Sequence, residues 1–334
     1  MKLTFFNKGV VGLASVILGL AVTMDASAEK RLSITTGQAS GVYYPLGDAL
    51  SKMLKTYIPD TTATFVPSSG SVENILMLGA GKADIAFSQA DQVWDGYKGY
   101  GSFGGKLQPI RTIAVIYANT FQLVTLRGNG INKVADLRGK RVATGAKGSG
   151  TEAWSDRIMK AAGLDPVKDF VRSSLSPVES AAALKARKID AFLWSGGVPT
   201  KAIADLAKEK GVKVLFVNTA AQVPAMLNQH GPVYTDGEIP IYRQGQLHVD
   251  SYAGVTKPVP VAQVWNLLVV RTDMDEKLVY NIVKMLFEHK ADWVAGHPEA
   301  GNLDLTNQGG GRSPIPFHPG AKKFYAEKGL PNMK

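Results

Sequence analysis

The chain has 334 residues, 38 Lys and Arg against 28 Asp and Glu, a formal charge of +10 and no cysteine. Without cysteine there is no disulfide framework and no thiolate chemistry. The basic excess can steer small anions, but the charges are scattered, with no basic run and no basic stretch interleaved with aromatics, so no nucleic-acid partner is expected.

The first residues read as a targeting signal. Lys2 and Lys8 form a basic region, Gly9 to Met24 is apolar, and Ala26-Ser27-Ala28 is an A-x-A cleavage site before Glu29. The apolar run is short for a membrane span, and nothing later is long enough to be one. The expectation is a signal peptide over 1–28 and a mature periplasmic protein from Glu29, long enough for two lobes with proper cores.

Leu32 and Ile34 then alternate as a short strand. A turn holding Gly37 and Gly41 follows, with Ser40 expected as helix N-cap. Tyr43, Leu46, Leu50, Met53 and Leu54 recur at helical spacing. A strand feeding a helix through such a turn presents backbone N–H groups and the positive end of a helix dipole, which suits an anion and often a carboxylate. The plainer reading is an ordinary βα turn. Tyr43 and Tyr44 lie about 100° apart on the helix, so one faces the core and the other is free to reach a ligand; the sequence leaves open which.

Thr62 to Val66 reads as a strand, Ser71 as the cap of a helix carrying Val72, Ile75 and Leu76, and Lys82 to Phe87 as a buried strand ending at Ser88-Gln89. Gly96 to Gly105 is a glycine-rich surface loop. Ile113 to Tyr117 and Phe121 to Leu126 read as two strands.

A second series begins with a strand at Val142-Ala143-Thr144 and a glycine-rich turn from Gly145 to Thr151. Trp154, Ile158 and Ala162 stripe its helix, more simply as core than as ligand contacts, with Gly163 as the C′ residue. Ser176-Pro177-Val178-Glu179 is a capping box. Its helix leads to a strand from Lys188 to Leu193 ending at Trp194-Ser195-Gly196-Gly197; then come a helix from Pro199 to Lys208 and a strand from Val212 to Val217. Trp194 fits the cleft and the core equally well. Leu78 to Asp84 and Leu184 to Asp190 both read L-x-A-x-K-x-D, a faint repeat that argues for two similar lobes.

Val259 to Arg271 is rich in β-formers, and Leu278, Val279, Ile282, Val283 and Leu286 stripe a helix. Pro314, Pro316 and Pro319 precede a last helix near Ala321 to Glu327. The expected fold is α/β, two-lobed and like a periplasmic binding protein. Strands cross between the lobes near 120 and 265, and a ligand cleft lies beyond the carboxyl ends of the strands. Residues 29–124 would form the first lobe, 125–261 the second, and 262–334 the return to the first. The cleft would be lined by Thr36, Gly37, Ser40, Gly41, Tyr43, Tyr44, Ser88, Gln89, Ser149, Gly150, Thr151, Trp194, Ser195 and Gly196.

These residues resemble a known family. Thr36-Gly37-Gln38-Ala39-Ser40-Gly41-Val42-Tyr43-Tyr44-Pro45 is similar to the T-G-G-x-x-G-x-Y-Y-P opening of TAXI-type solute-binding proteins of tripartite ATP-independent periplasmic (TRAP) transporters. Ser88-Gln89-Ala90-Asp91 resembles the family's Q-S-D element in shifted form. Leu137 to Val142 with Gly148 to Thr151 resembles L-K-G-K-R-V…G-S-G-T. Ile189 to Phe192, Gly196 to Pro199, and Ile315 to Ala321 complete an ordered set covering nearly all of the mature chain. The resemblance implies a soluble receptor that closes on a small carboxylate such as glutamate or 2-oxoglutarate. It would hand that solute to a membrane permease driven by a sodium or proton gradient. Gln38 replaces a glycine and Trp194 a smaller residue, so the pocket departs from the pattern.

No cofactor, no metal and a monomer are expected. Gly148 to Ala153 fits the relaxed dinucleotide pattern G-x-G-x-x-A, but the strand and acidic partner are misplaced, and Gly150 stands where a P-loop needs lysine. The alternative is a secreted hydrolase. Ser149 and Ser195 lie in glycine-flanked turns, yet neither shows a G-x-S-x-G elbow. None of His230, His248, His289, His297 and His318 has metal-ligand spacing. His318 suits a structural role, and His289 a cation at a helix C-terminus.

Overall fold

A computed structural model describes residues 1–4, 29–229 and 240–330. Most of the expected leader, from Lys8 through Gly9 to Met24 and on to Ala26-Ser27-Ala28, therefore lies outside the described residues, as does His230. Among the described residues no helix is long and apolar enough to cross a membrane.

The first series is β1 (Lys30–Thr35), α1 (Tyr43–Tyr57), β2 (Thr61–Val66), α2 (Ser71–Gly79), β3 (Ile85–Gln89) and α3 (Ala90–Lys98). The long strand β4 (Ile110–Leu126) leads into β5 (Arg141–Ala143), α4 (Gly150–Ala161), β6 (Val171–Ser173), α5 (Pro177–Lys185), β7 (Ala191–Gly196), α6 (Lys201–Lys208) and β8 (Val214–Val217). Next come α7 (Val223–Gln229), β9 (Tyr242–Leu247) and a second long strand, β10 (Val259–Arg271). The remaining helices are α8 (Glu276–Glu288), α9 (Lys290–Gly296) and α10 (Pro319–Glu327).

The strands lie in the order β2-β1-β3-β10-β4-β7-β5-β6, with β8 on β4 and β9 on β10. β4 and β10 pair antiparallel from Ile110↔Arg271 to Thr120↔Gln263. From Thr120 onward β4 takes β7 and β8 as partners, while the first half of β10 pairs with β9. Both long strands thus run through both halves of the molecule, giving an α/β fold of two lobes joined by two crossing strands. One buried cluster runs through both halves, from Ile34, Leu46 and Phe87 to Leu123, Trp154 and Leu193. A second holds Val124, Leu184, Phe192, Ile203 and Phe216.

Two expectations about strands change. Ile113 to Leu126 is one strand, not two, because Ala118 and Asn119 pair with Trp265 and Val264 across the gap where propensity falls. Lys82 to Asp84 and Lys188 to Asp190 are turns, and β3 and β7 begin at Ile85 and Ala191.

Those turns are where the faint repeat acquires a physical meaning. The Asp84 carboxylate accepts the Ser33 N–H at 2.8 Å, and the Asp190 carboxylate accepts the Arg141 N–H at 2.8 Å. The Asp84 N–H returns to the Ser33 carbonyl, and the Asp190 N–H to that of Arg141, each at 2.8 Å. Lys82 and Lys188 close the helices α2 and α5 on Met77 and Ala183 in the same way. Each lobe therefore uses one aspartate to tie the end of a helix to its first strand. The residue two before each lysine-to-aspartate turn's second position, Gly81 in one lobe and Arg187 in the other, sits in the left-handed region at φ 66° and 55°. Elsewhere the capping box holds as expected: Ser176 accepts the Glu179 N–H at 3.2 Å and Glu179 accepts the Ser176 N–H at 2.8 Å.

A left-handed non-glycine residue costs about 1–2 kcal/mol, offset in part by the greater freedom of glycine in the unfolded chain. Arg187→Gly should therefore raise the urea midpoint, by somewhat less than 1 kcal/mol of stability. Gly81→Ala should lower it, since its new Cβ is also placed 2.6 Å from Nη1 of Arg271. Equal midpoints for Arg187→Gly and wild type would show that the two turns are not equivalent.

Candidate functional site

Four helices begin at one place. Tyr43 opens α1, Ser71 opens α2, Gln89 precedes α3 and Gly150 opens α4. All four residues line a pocket with about 410 Å³ of empty space, its mouth included. Among the described residues its lining contains no Lys, Arg, His, Asp or Glu. The positive ends of four helix dipoles are therefore the main fixed electrostatic feature of the site.

The structure brings Gly37, Gly41, Tyr43, Gln89, Ser149, Gly150, Thr151, Trp194, Ser195 and Gly196 to this lining. Ser149 is the N-cap of α4, its hydroxyl accepting the Glu152 N–H at 3.0 Å. Thr151 accepts the Ser195 N–H at 3.2 Å. The Trp194 indole is held by donation to the Thr200 hydroxyl at 2.8 Å, with its ring beside Gly41. The Tyr43 hydroxyl donates to Asn266, its ring stacks 5.3 Å from Phe87, and burial raises its pKa well above the ordinary phenol value. It meets a ligand as a neutral hydroxyl.

Four expected residues lie elsewhere. Thr36 is fully buried, its hydroxyl spent on the Val66 carbonyl at 2.8 Å. Ser40 does not cap α1, because a turn closed by Gly41 N–H on Gln38 intervenes, and Val42 occupies the cap position without a side-chain bond. Tyr44 turns away from Tyr43 and packs edge-on to Phe65, 5.1 Å between centroids. Ser88 precedes Gln89 on β3 and so points to the other face. Ser71 likewise is not a cap but the first residue of its helix, and its hydroxyl accepts the Gln89 N–H at 3.1 Å.

The expectation omitted Ser69, Gly70, Ser71, Tyr117 and Asn119, which line the pocket together with Gln38 and Val42 of the first turn. The Ser68-Ser69-Gly70-Ser71 turn carried the same small-residue signal as the others. Tyr117 and Asn119 carried none, since only the pairing of β4 with β10 brings them there. Three lining residues keep a buried carbonyl oxygen without a partner: Gln38, Gln89 and Asn119.

The two lobes meet across this pocket. Gln89 Nε2 donates to Ser195 Oγ at 2.8 Å, and the Glu73 N–H of α2 donates to the Gly148 carbonyl at 3.1 Å. A Cβ on Gly150 would stand 2.8 Å from both Gln89 and Ser71, so only glycine permits this approach. Behind the pocket, Arg157 of α4 pairs with Asp91 at 2.5 Å and with Asp95, both on α3. Tyr242 donates to the same Asp91 at 2.8 Å. Both carboxylates and the guanidinium are buried.

Neither of the two serines weighed as hydrolase candidates, Ser149 and Ser195, is set up as a nucleophile. Ser149 is occupied as a cap, and Ser195 accepts from an amide with no histidine in the lining. His318 accepts the Gly320 N–H as the cap of α10, and His289 stacks on Tyr57 with 3.6 Å between ring centroids.

A family model described as the NMT1-like family matches residues 34–329. Among solved structures, the periplasmic aliphatic sulphonate binding protein SsuA from Escherichia coli is 16% identical, with 91% of this chain and 94% of that chain covered and a TM-score of 0.46. A putative L-cystine ABC transporter protein from Listeria monocytogenes is 17% identical, with 82% and 98% covered and a TM-score of 0.48. The alkanesulfonate-binding protein SsuA from Xanthomonas axonopodis pv. citri, bound to MOPS, is 16% identical, with 90% and 85% covered and a TM-score of 0.46.

A further contact between the lobes is made by Glu299, whose Oε1 accepts the Val198 N–H at 3.0 Å and whose Oε2 accepts from Asn302 at 2.6 Å. Burial raises its pKa, and the two hydrogen bonds offset part of that rise. A carboxyl raised in the folded state contributes stability below its unfolded pKa of 4.5 and loses it as pH climbs through the folded value. The stability of wild type relative to Glu299→Gln should therefore fall between about pH 4 and about pH 7, read from urea unfolding at the two pH values. A difference that grows with pH would contradict this.

Proposed function

The chain belongs to the NMT1-like family, and from that membership and the site above we propose that it is a solute-binding protein. It captures a small carboxylate between its lobes and delivers it to a membrane permease. On this reading it is the periplasmic, monomeric receptor of a TAXI-type TRAP transporter, with 29–124 and 262–334 forming one lobe and 125–261 the other.

The observation that carries the reading is the convergence of four helix N-termini on a pocket without charged side chains. Such a pocket neutralises an anion with backbone dipoles and N–H groups, and it releases that anion more easily than an arginine clamp would. One dipole contributes about 0.3–1 kcal/mol at an exposed site and up to ~2 kcal/mol when partly buried. Charge-assisted hydrogen bonds of about 1.5–3 kcal/mol each must supply the rest. The hydroxyls of Ser149, Thr151 and Ser195, which accept hydrogen bonds within the protein and keep their own protons to donate, are placed to make them. The unpartnered carbonyls of Gln38, Gln89 and Asn119 ask for N–H or O–H donors on the ligand. That favours an amino acid such as glutamate over 2-oxoglutarate.

Ligand at about a hundred times its dissociation constant should stabilise the fold by ~2.7 kcal/mol, a melting shift of several degrees for a chain of this size. A panel of dicarboxylates and acidic amino acids read by thermal shift should therefore contain a clear binder. Mass spectrometry of the compound released on unfolding should return it intact. Gly150→Val should remove the shift, because its side chain would meet Gln89 and Ser71 where the lobes close. Undiminished binding by Gly150→Val would place the ligand elsewhere, and turnover of the compound would favour a hydrolase.

A further inference from the structure

Residues of β4 alternate between two cavities. Tyr117 and Asn119 face the pocket described above, while Ala118 and Thr120 face a second cavity on the other side of the crossing strands. This rear cavity has about 960 Å³ of empty space and is lined from both lobes, by Arg243 and His248 on one side and Glu299 and Asn302 on the other.

Its most unusual occupant is Arg243. The guanidinium lies 4.2 Å from the Trp265 ring centroid, and Arg312 lies 5.6 Å from the same ring. Nε of Arg243 is buried with no hydrogen-bond partner, and no carboxylate among the described residues forms an ion pair with either arginine. Burial and the neighbouring Arg312 both press the Arg243 pKa down. Arg312 has partners of its own, the Thr306 and Gly309 carbonyls. The one carboxylate in the lining, Glu299, has both oxygens engaged by Val198 and Asn302.

A half-buried cation beside a second cation, with donors unspent, is costly unless something negative joins it. An arginine fork matches the planar or tetrahedral oxygens of an oxyanion, and the amides of Gln246, Asn302 and Asn307 stand around the same space. We propose that the rear cavity binds the oxyanion group of a small molecule (carboxylate, phosphate or sulfate), with Arg243 as its principal donor. Because its walls come from both lobes, the anion is held best in the arrangement that brings Val198 and Glu299 together.

The test uses potassium citrate, phosphate and sulfate against chloride at matched ionic strength, read by thermal shift on the mature protein. At least one of the three should raise the melting temperature of wild type above its value in chloride, saturably, and which one does so identifies the oxyanion. Arg243→Gln should weaken that response by about tenfold or more, while Arg243→Lys keeps part of it, because an ammonium retains the charge but not the fork. In chloride, Arg243→Gln should melt no lower than wild type, since it removes an unpaired cation. The series is repeated with Gly150→Val, where the front pocket is obstructed. A response that survives Arg243→Gln, or that disappears in Gly150→Val, belongs to the front pocket and overturns the proposal, as does the absence of any response beyond chloride. Should Arg243→Gln fail to fold, Arg243→Lys carries the comparison, and wild-type affinity in that variant is equally fatal.

Discussion

The pairing of β4 with β10 is the constraint on which the rest depends. Eight residues of β4 between Ile110 and Thr120 register against β10, and then each strand leaves its partner to serve the other lobe. A β-strand sends successive side chains to opposite faces, so this one ladder supplies the back wall of both cavities. Tyr117 and Asn119 close the front pocket; Ala118, Thr120 and Trp265 close the rear one. Bending the ladder near Thr120 would move the walls of both.

Charge is distributed between these spaces in a consistent way. The front pocket contains helix ends and neutral hydrogen-bonding groups, which can be presented to a ligand without first breaking an ion pair. Full charges at the lobe interface sit just behind it, in the Arg157, Asp91 and Asp95 cluster. That cluster supplies specificity of approach more than net stability, because two carboxylates and a guanidinium lose their hydration when buried together. Removing the arginine alone would take the guanidinium from two buried carboxylates, and breaking a buried pair in this way costs about 3–5 kcal/mol in comparable cases.

Much of the fold was legible in the sequence. The helix stripes around Leu46 and Ile282, the strand from Val259 to Arg271 and the capping box at Ser176 all depend on neighbours within a few residues. The L-x-A-x-K-x-D repeat was visible as letters, but its meaning, an aspartate clamping the first strand of each lobe, needed partners 51 and 49 residues away. The site was legible where glycine-rich turns open helices. It was misread where one added turn moved Ser40 off the cap position, and left open between Tyr43 and Tyr44, whose facing depends on the helix phase that the turn sets. The wall of Tyr117 and Asn119 and the stack of Arg243 on Trp265 could not be read at all. The first arises from strands more than a hundred residues apart in sequence, the second from the register of β9 on β10.

The buried Arg157 cluster gives the molecule a thermal character as well as a mechanical one. Were α3 and α4 to separate, the charged groups between them would regain water, and the hydration of charged groups carries a strongly negative entropy. Warming therefore makes hydration of these groups less favourable and their burial less costly. An interface held in this way becomes less costly to keep buried as temperature rises, even while the folded state as a whole is growing weaker.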